Sequence, residues 1–170
     1  KRIELANTYF FKGRKSLTKG NQDEALRMFR ASVAIHEEVY GTYDRRTARS
    51  YFFLAQTLSK HTDEFDRALT AYRRVFRVGL SLQGLGISKD GDQKYVQGAK
   101  RAIREILSDK KAFDTIAVET FFLSVEESVK LEKQGLEYTD KKDYERAIES
   151  LEKCFDIEEK AEGTFPLDLG

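Results

Sequence analysis

The sequence predicts an all-α fold, a right-handed α-solenoid of about seven helices arranged in antiparallel pairs. Three observations predict it. Apolar residues recur at steps of three and four positions through most of the 170 residues. Proline occurs once and charged residues make up 35% of the chain, a composition typical of long solvated helices. Short blocks of sequence also recur at a nearly constant spacing.

The first four helices follow from this periodicity and from the residues that break it. The first is expected over residues 2–18 and the second from about 22 to 40. The third is expected from about 44 to 60. The turn at 61–63 offers a Thr or Asp cap, so a fourth helix should begin near Glu64.

The middle of the chain is less regular. Gly79 and the glycines after it are expected to interrupt the fourth helix and to create a loop over residues 83–92. A basic amphipathic helix is expected over about 93–108, and a long helix over about 115–138. The last helix should begin near Asp143.

Two blocks of sequence repeat. The aromatic block at 8–11 recurs at 50–53, 42 residues later, and the Ala-containing block at 23–26 recurs at 66–69, 43 residues later. A third copy of the second block stands at 143–148. One helical pair cannot bury its apolar stripe alone, so the copies are expected to pack on one another.

The residues at matching positions of these copies share a pattern: a large residue with a small residue four positions later on one helix, and Ala with a large residue four positions later on the next. They are Tyr9, Gly13, Ala25 and Phe29; Tyr51, Leu54, Ala55, Leu58, Ala68 and Tyr72; and Leu131, Gln134, Gly135, Tyr138, Ala147 and Leu151. This pattern resembles the tetratricopeptide repeat. The long connector at 35–48 looks like that of the longer, kinesin-light-chain-like variety.

The resemblance implies a single domain over 1–170, with repeats at about 2–40, 44–82 and 115–161 and an irregular insertion at about 83–114. The small residues Gly13, Ala55 and Gly135 should let paired backbones approach closely.

Composition excludes several classes of function. Thirty Lys and Arg against 29 Asp and Glu give a net charge of +1, which disfavours nucleic acid and polyanionic substrates. Cys154 is the single cysteine, so an internal disulfide and a cysteine zinc site are excluded, and a cytoplasmic or organellar, reducing interior is expected. No apolar run approaches the roughly 18 residues that span a bilayer. The start at Lys1 indicates a fragment or processed form.

No catalytic residue, metal ligand or cofactor is predicted, and the chain is not expected to be an enzyme. His36 and His61 are expected at solvated helix or turn positions, and Cys154 is expected to be a packing residue. The glycine-rich stretch 84–91 lacks the ending of a phosphate loop and is predicted to be a flexible connection. The basic residues between Lys94 and Lys111 are interpreted as a solvated face.

The resemblance implies that first helices of the repeats line a concave groove that binds a partner. By the family pattern, the groove residues are Asn7, Phe10, Arg14, Arg49, Phe52, Gln56, Lys60 and Lys133. Phe10 and Phe52 stand where polar residues of the family's carboxylate-clamp version are expected, which argues against the binding of chaperone tails.

The main hypothesis is a protein-interaction scaffold or adaptor that binds a peptide or partner helix in this groove, with no small-molecule substrate. The alternative is a fixed accessory subunit of a large assembly, bound through helix edges and the irregular middle, which also allows a place on a membrane-embedded complex. Size-exclusion chromatography distinguishes a stable monomer from a permanent subunit. An RNA-binding helical repeat is a distant third hypothesis and predicts steep salt dependence.

Overall fold

A computed structural model describes residues 1–60, 64–109 and 115–163. Within these ranges the chain forms seven helices and no strand. They are α1 (Arg2–Thr18), α2 (Gln22–Tyr40), α3 (Arg45–Leu58), α4 (Phe65–Gly84), α5 (Asp90–Asp109), α6 (Thr115–Asp140) and α7 (Tyr144–Gly163). The predicted all-α fold is confirmed.

The turn between α1 and α2 is closed by backbone hydrogen bonds and by a side-chain cap. Gly20 has a φ of 76°, a left-handed conformation that glycine adopts without steric cost. This lets the N–H of Asn21 donate to the carbonyl oxygen of Ser16 at 2.9 Å. The side chain of Asn21 then accepts from the N–H of Glu24 at 3.3 Å and caps α2.

The turn between α6 and α7 repeats this arrangement. Lys142 takes the left-handed conformation with a φ of 59°, and the N–H of Asp143 donates to the carbonyl oxygen of Tyr138 at 2.9 Å. The N–H of Arg146 donates to the Asp143 side chain at 3.4 Å. The two hairpins are therefore closed in the same way, as expected of copies of one repeat.

The chain divides into two compact units. Unit 1 comprises Lys1–Gly79 and Asp90–Ile106. Its core includes Phe29, Phe76 and Ile103, which are fully buried. A Cβ added at Gly13 would lie 2.8–3.0 Å from the ring of Phe29, so glycine is what lets α1 and α2 approach this closely.

Unit 2 comprises Leu80–Lys89 and Leu107–Gly170. Here α6 packs against α7, and a Cβ added at Gly135 would lie 2.9 Å from the Cγ of Leu151. Phe122 and Ala147 are buried in this unit. Cys154 is buried as predicted, with its Sγ 3.4 Å from the hydroxyl oxygen of Ser128.

The fourth helix is a correction to the sequence analysis. It passes through Gly79 without interruption and ends at Gly84, while α5 begins at Asp90 rather than near residue 93. A Cβ at Gly79 would overlap the side chain of Val96, so this glycine permits a close approach of α4 and α5 instead of breaking a helix. The predicted turn at 61–63 lies outside the described residues.

His36 is a second correction, because its side chain is only 3% exposed. Its Nδ1 lies 2.9 Å from the hydroxyl oxygen of Ser50, which in turn lies 3.2 Å from that of Ser32. The Nε2 of His36 is buried without a hydrogen-bond partner in the described part of the chain. The imidazole is thus a core group shared by α2 and α3. His61 lies outside the described residues.

This burial predicts a pH-dependent stability. Burial lowers the pKa of His36 below its ordinary value, so the unfolded chain binds a proton more readily than the folded chain. The stabilisation is therefore fully present above the unfolded pKa of about 6.5 and is lost as the pH falls below it. We expect the unfolding free energy of wild type to fall more than that of His36→Asn between about pH 7.5 and 5.5, measured by urea denaturation. Equal losses in the two proteins would contradict this prediction.

Candidate partner-binding surface

An aromatic cluster joins α1, α2 and α3 in unit 1. The ring centroid of Phe10 lies 5.2 Å from that of Phe53 and 6.0 Å from that of Phe29. Phe29 and Phe53 are stacked, with centroids 5.8 Å apart. These are favourable aromatic separations, so the cluster fixes the first helices of two successive repeats against each other.

Two arginines lie on the faces of these rings. The guanidinium carbon of Arg14 is 5.3 Å from the centroid of Phe53, and that of Arg49 is 4.6 Å from the centroid of Phe10. Such cation–π contacts contribute about 0.5–2 kcal/mol. Within the described ranges neither guanidinium forms an ion pair, and the Nε of Arg49 is buried without a hydrogen-bond partner. The stacking therefore holds two cations in place without neutralising them.

Helical spacing places further side chains on the same faces. Asn7, Phe11 and Arg14 are four and three residues apart on α1, and Arg49, Phe53 and Gln56 have the same spacing on α3. Asn7, Phe11 and Arg14 are exposed, whereas Arg49, Phe53 and Gln56 are half-buried. We call these six residues the α1–α3 surface.

Phe52 lies beyond this surface, toward α4 and α5. Its ring centroid is 5.9 Å from Tyr72 and 5.1 Å from Tyr95, and a Cβ at Gly98 would lie 2.9 Å from the ring. The side chain is half-buried, and its contacts are those of a residue that packs one helical pair on the next. Lys60 is exposed beyond the end of α3.

Lys133 belongs to unit 2, where its Nζ lies 3.8 Å from an oxygen of Glu137. Among the predicted site residues, Arg14 and Arg49 lie on the rings of the aromatic cluster and Phe10 is buried within it. Helical spacing places Asn7 and Gln56 two turns from these arginines, on the same helix faces. The structure does not bring Lys133 to the same unit.

Phe10 differs from the expectation for a groove residue. It is 3% exposed and belongs to the core, while its neighbour Phe11 is 58% exposed. The reason is periodicity, since Phe10 is four residues after Ala6 and three before Gly13, which are both buried. Phe11 and Phe53 are therefore surface residues that were not predicted from the sequence, although the spacing of the buried residues could have identified Phe11.

A separate cleft of about 520 Å³ lies between α2, α3 and α4 in unit 1. It is lined by Arg30, Tyr51, Leu54, Leu58, Arg67, Thr70, Ala71 and Arg74. Arg30 and Arg67 both donate to Glu64 at 2.8 Å, and the hydrogen bond from Arg67 holds the pKa of Glu64 below its ordinary value. These two cations already have a carboxylate partner.

The third arginine of the cleft is also neutralised. Arg74 donates to Glu37 at 3.2 Å and contacts the hydroxyl of Tyr51, which itself donates to Glu37 at 2.6 Å. Burial, followed by this hydrogen bond to Glu37, raises the pKa of Tyr51 to about 12. The three arginines of the cleft are therefore already paired with carboxylates. An acidic partner would bind less favourably there than at the α1–α3 surface.

Within residues 1–60, 64–109 and 115–163, no group of His, Cys, Asp and Glu side chains is arranged to hold a metal ion. None of the helices formed by these residues has the length and apolar character needed to cross a membrane.

Comparison with known proteins identifies the family. Two models described as tetratricopeptide repeat match residues 4–79 and 131–160, and together they cover more than half of the chain. The first match is consistent with the longer, kinesin-light-chain-like variety. No curated protein matches the chain. Repeats of this family generally mediate protein–protein interactions and are typically non-enzymatic scaffolds. The chain is a tetratricopeptide repeat protein.

Proposed function

We propose that the chain is a protein-interaction scaffold that binds a peptide or helix of a partner protein on the α1–α3 surface. Exposed and half-buried aromatic rings supply apolar contact area, and Arg14 and Arg49 bind acidic side chains of the partner. Asn7 and Gln56 lie at the same faces and are suited to hydrogen bonds with a partner's backbone.

The observation that supports this proposal most directly is the environment of Arg14 and Arg49. Each guanidinium is stacked on an aromatic ring and has no carboxylate partner in the described ranges. A guanidinium presents a planar fork of donors that matches a carboxylate, and the stacking reduces the conformational entropy lost when one binds. The arginines of the neighbouring cleft, which already bind Glu64 and Glu37, lack this property.

The aromatic side chains add to the same surface. Phe11 is exposed and Phe53 is half-buried, so a partner that covers them removes apolar area from water. Large aromatic and Arg residues are also the side chains that most often dominate binding energy at interfaces. The proposed complex is therefore held by a few central contacts rather than by net charge, which is only +1.

The proposal is tested with the double variant Arg14→Glu/Arg49→Glu in crosslinking mass spectrometry on extracts of the source. Wild type should give crosslinks to partner proteins through Lys12 and Lys60, which flank the surface and are exposed. The double variant should recover these crosslinks at about one tenth of the level or less, because it replaces two attractions with two repulsions.

The matched control is Arg101→Glu. Arg101 is exposed on α5, in the same unit, and has no ion pair among the described residues. Circular dichroism should show that all three proteins remain helical. Equal recovery of the crosslinks with wild type and the double variant would exclude the α1–α3 surface as the binding site.

A further inference from the structure

The last helix carries an exposed apolar stripe. Tyr144, Ile148 and Phe155 on α7 are 60%, 57% and 72% exposed. They are four and seven residues apart, a spacing that puts all three on one face of a helix. Single exposed apolar residues are common on protein surfaces, but an aligned set on one helix face indicates an interaction site.

This stripe is distinct from the face that α7 uses to pack against α6. The packed face contains Ala147, Ser150 and Cys154, which are all buried. Leu151 lies at the boundary, half-buried and close to Gly135. The three exposed side chains therefore take no part in closing the hairpin.

A row of acidic side chains borders one side of the stripe. At about 100° per residue, five exposed acidic residues fall on the same flank of α7. They are Glu145, Glu149, Glu152, Asp156 and Glu159. Glu149 binds Lys153 at 2.6 Å, whereas the other four have no ion pair within the described part of the chain. The flank thus carries uncompensated negative charge beside an apolar surface.

We propose that this face of α7 docks an amphipathic helix of a partner protein whose own apolar stripe is bordered by Lys or Arg. The apolar stripes meet and exclude water, while the basic residues lie along the acidic row and fix the orientation of the partner. This surface is proposed in addition to the α1–α3 surface, and it binds a basic partner, whereas the α1–α3 surface binds an acidic one.

A second copy of the chain fits this face less well. The same face of another α7 would bring its own acidic row, so the charges at the border would be alike rather than complementary. Charge complementarity thus favours a basic partner over self-association through α7.

The test uses two synthetic helical peptides with identical Leu-rich apolar faces, one flanked by Lys and the other by Glu at the same positions. Binding to the 170-residue chain is measured by fluorescence anisotropy. We expect the Lys peptide to bind at least about tenfold more tightly than the Glu peptide, with a preference that weakens as salt rises. Equal affinities, or no binding of the Lys peptide, would overturn the proposal.

Three variants locate the binding site. Ile148→Ser/Phe155→Ser should weaken binding of the Lys peptide at least about tenfold, and Glu152→Lys/Asp156→Lys should reverse the preference between the peptides. Leu123→Ser is the control, since Leu123 is exposed on α6 and lies outside the stripe. All of these residues are exposed, so the variants should keep the helical circular dichroism of wild type. An unchanged preference in the charge-reversal variant would overturn the proposal.

Sedimentation equilibrium tests whether a second copy of the chain, rather than a basic partner, covers the stripe. In the absence of peptide, the wild-type chain should not dimerise through this stripe. A dimer that forms in wild type but not in Ile148→Ser/Phe155→Ser is therefore not expected. Such a dimer would show that a second copy covers the stripe and would overturn the proposal of a basic partner. The variant Arg14→Glu/Arg49→Glu tests only partner binding at the α1–α3 surface, and the peptide assay tests only the face of α7. The proposed function and this inference can therefore fail independently.

Discussion

Replacement of Phe29 by Ala is expected to lower the unfolding free energy by about 3–5 kcal/mol. Phe29 is completely buried in unit 1 and contacts the rings of Phe10 and Phe53. Its loss removes apolar contact with α1 and α3 and leaves a cavity that the neighbouring rings can fill only in part. Urea denaturation followed by circular dichroism at 222 nm measures the effect.

The control for Phe29→Ala is Phe11→Ala, in the same aromatic cluster. Phe11 is exposed and touches Phe10 edge-on at 5.6 Å, so its replacement should cost less than about 1 kcal/mol. A similar loss for both variants would show that Phe29 is not the centre of this core.

Gly13 provides a further check on the same packing. Because a Cβ at Gly13 would press on the ring of Phe29, Gly13→Ala should destabilise wild type by about 1–3 kcal/mol. In the Phe29→Ala background the added methyl group has room, and alanine also favours the helix by about 1 kcal/mol over glycine. The two substitutions should therefore couple, with the double variant more stable than additivity predicts.

Replacement of Phe122 by Ala is expected to lower the unfolding free energy by a similar amount, about 3–5 kcal/mol. Phe122 is one of the largest fully buried side chains in unit 2, and its ring centroid lies 5.6 Å from that of Phe121. The control is Leu123→Ala, at the next position of α6, where the side chain is 65% exposed. The control should change stability by less than about 0.5 kcal/mol.

The two phenylalanine variants also test the number of folding units. The sequence predicts a single domain over residues 1–170, and a single domain unfolds in one transition. Phe29→Ala and Phe122→Ala should then shift the same transition. Two transitions, each lowered by one of the variants, would contradict the prediction of a single domain.

Much of the helical architecture follows from local chemistry. The bounds of α1 and α2 could be predicted because Gly20 and Asn21 carry the signals of a helix end and a helix start. The extent of α4 could not, because Gly79 is a breaker by local propensity and is retained within the helix by tertiary packing on Val96. The long α6 could be predicted because its apolar periodicity runs without a Gly or Pro before Gly135.

The candidate site was less predictable, because exposure depends on the exact face of a helix. Phe10 and Phe11 are adjacent, yet only one is buried, and an error of one position in the register exchanges their roles. The sequence predicts His36 in solvent because no carboxylate or cysteine stands at ligand spacing from it. Its position seven residues after Phe29 and four after Ser32 places it on the buried stripe of α2, a signal that was present in the sequence.

The acidic row of α7 changes how the net charge of this protein should be understood. The helix contains seven acidic and three basic residues, a formal charge of −4, which leaves +5 on the remainder of the chain. The nearly neutral total therefore reflects cancellation between segments rather than an even mixture of charges. At separations shorter than the Debye length of about 8 Å at physiological salt, a partner responds to one segment and not to the total. An isoelectric point near 7.9 therefore cannot reveal the local field that a partner encounters.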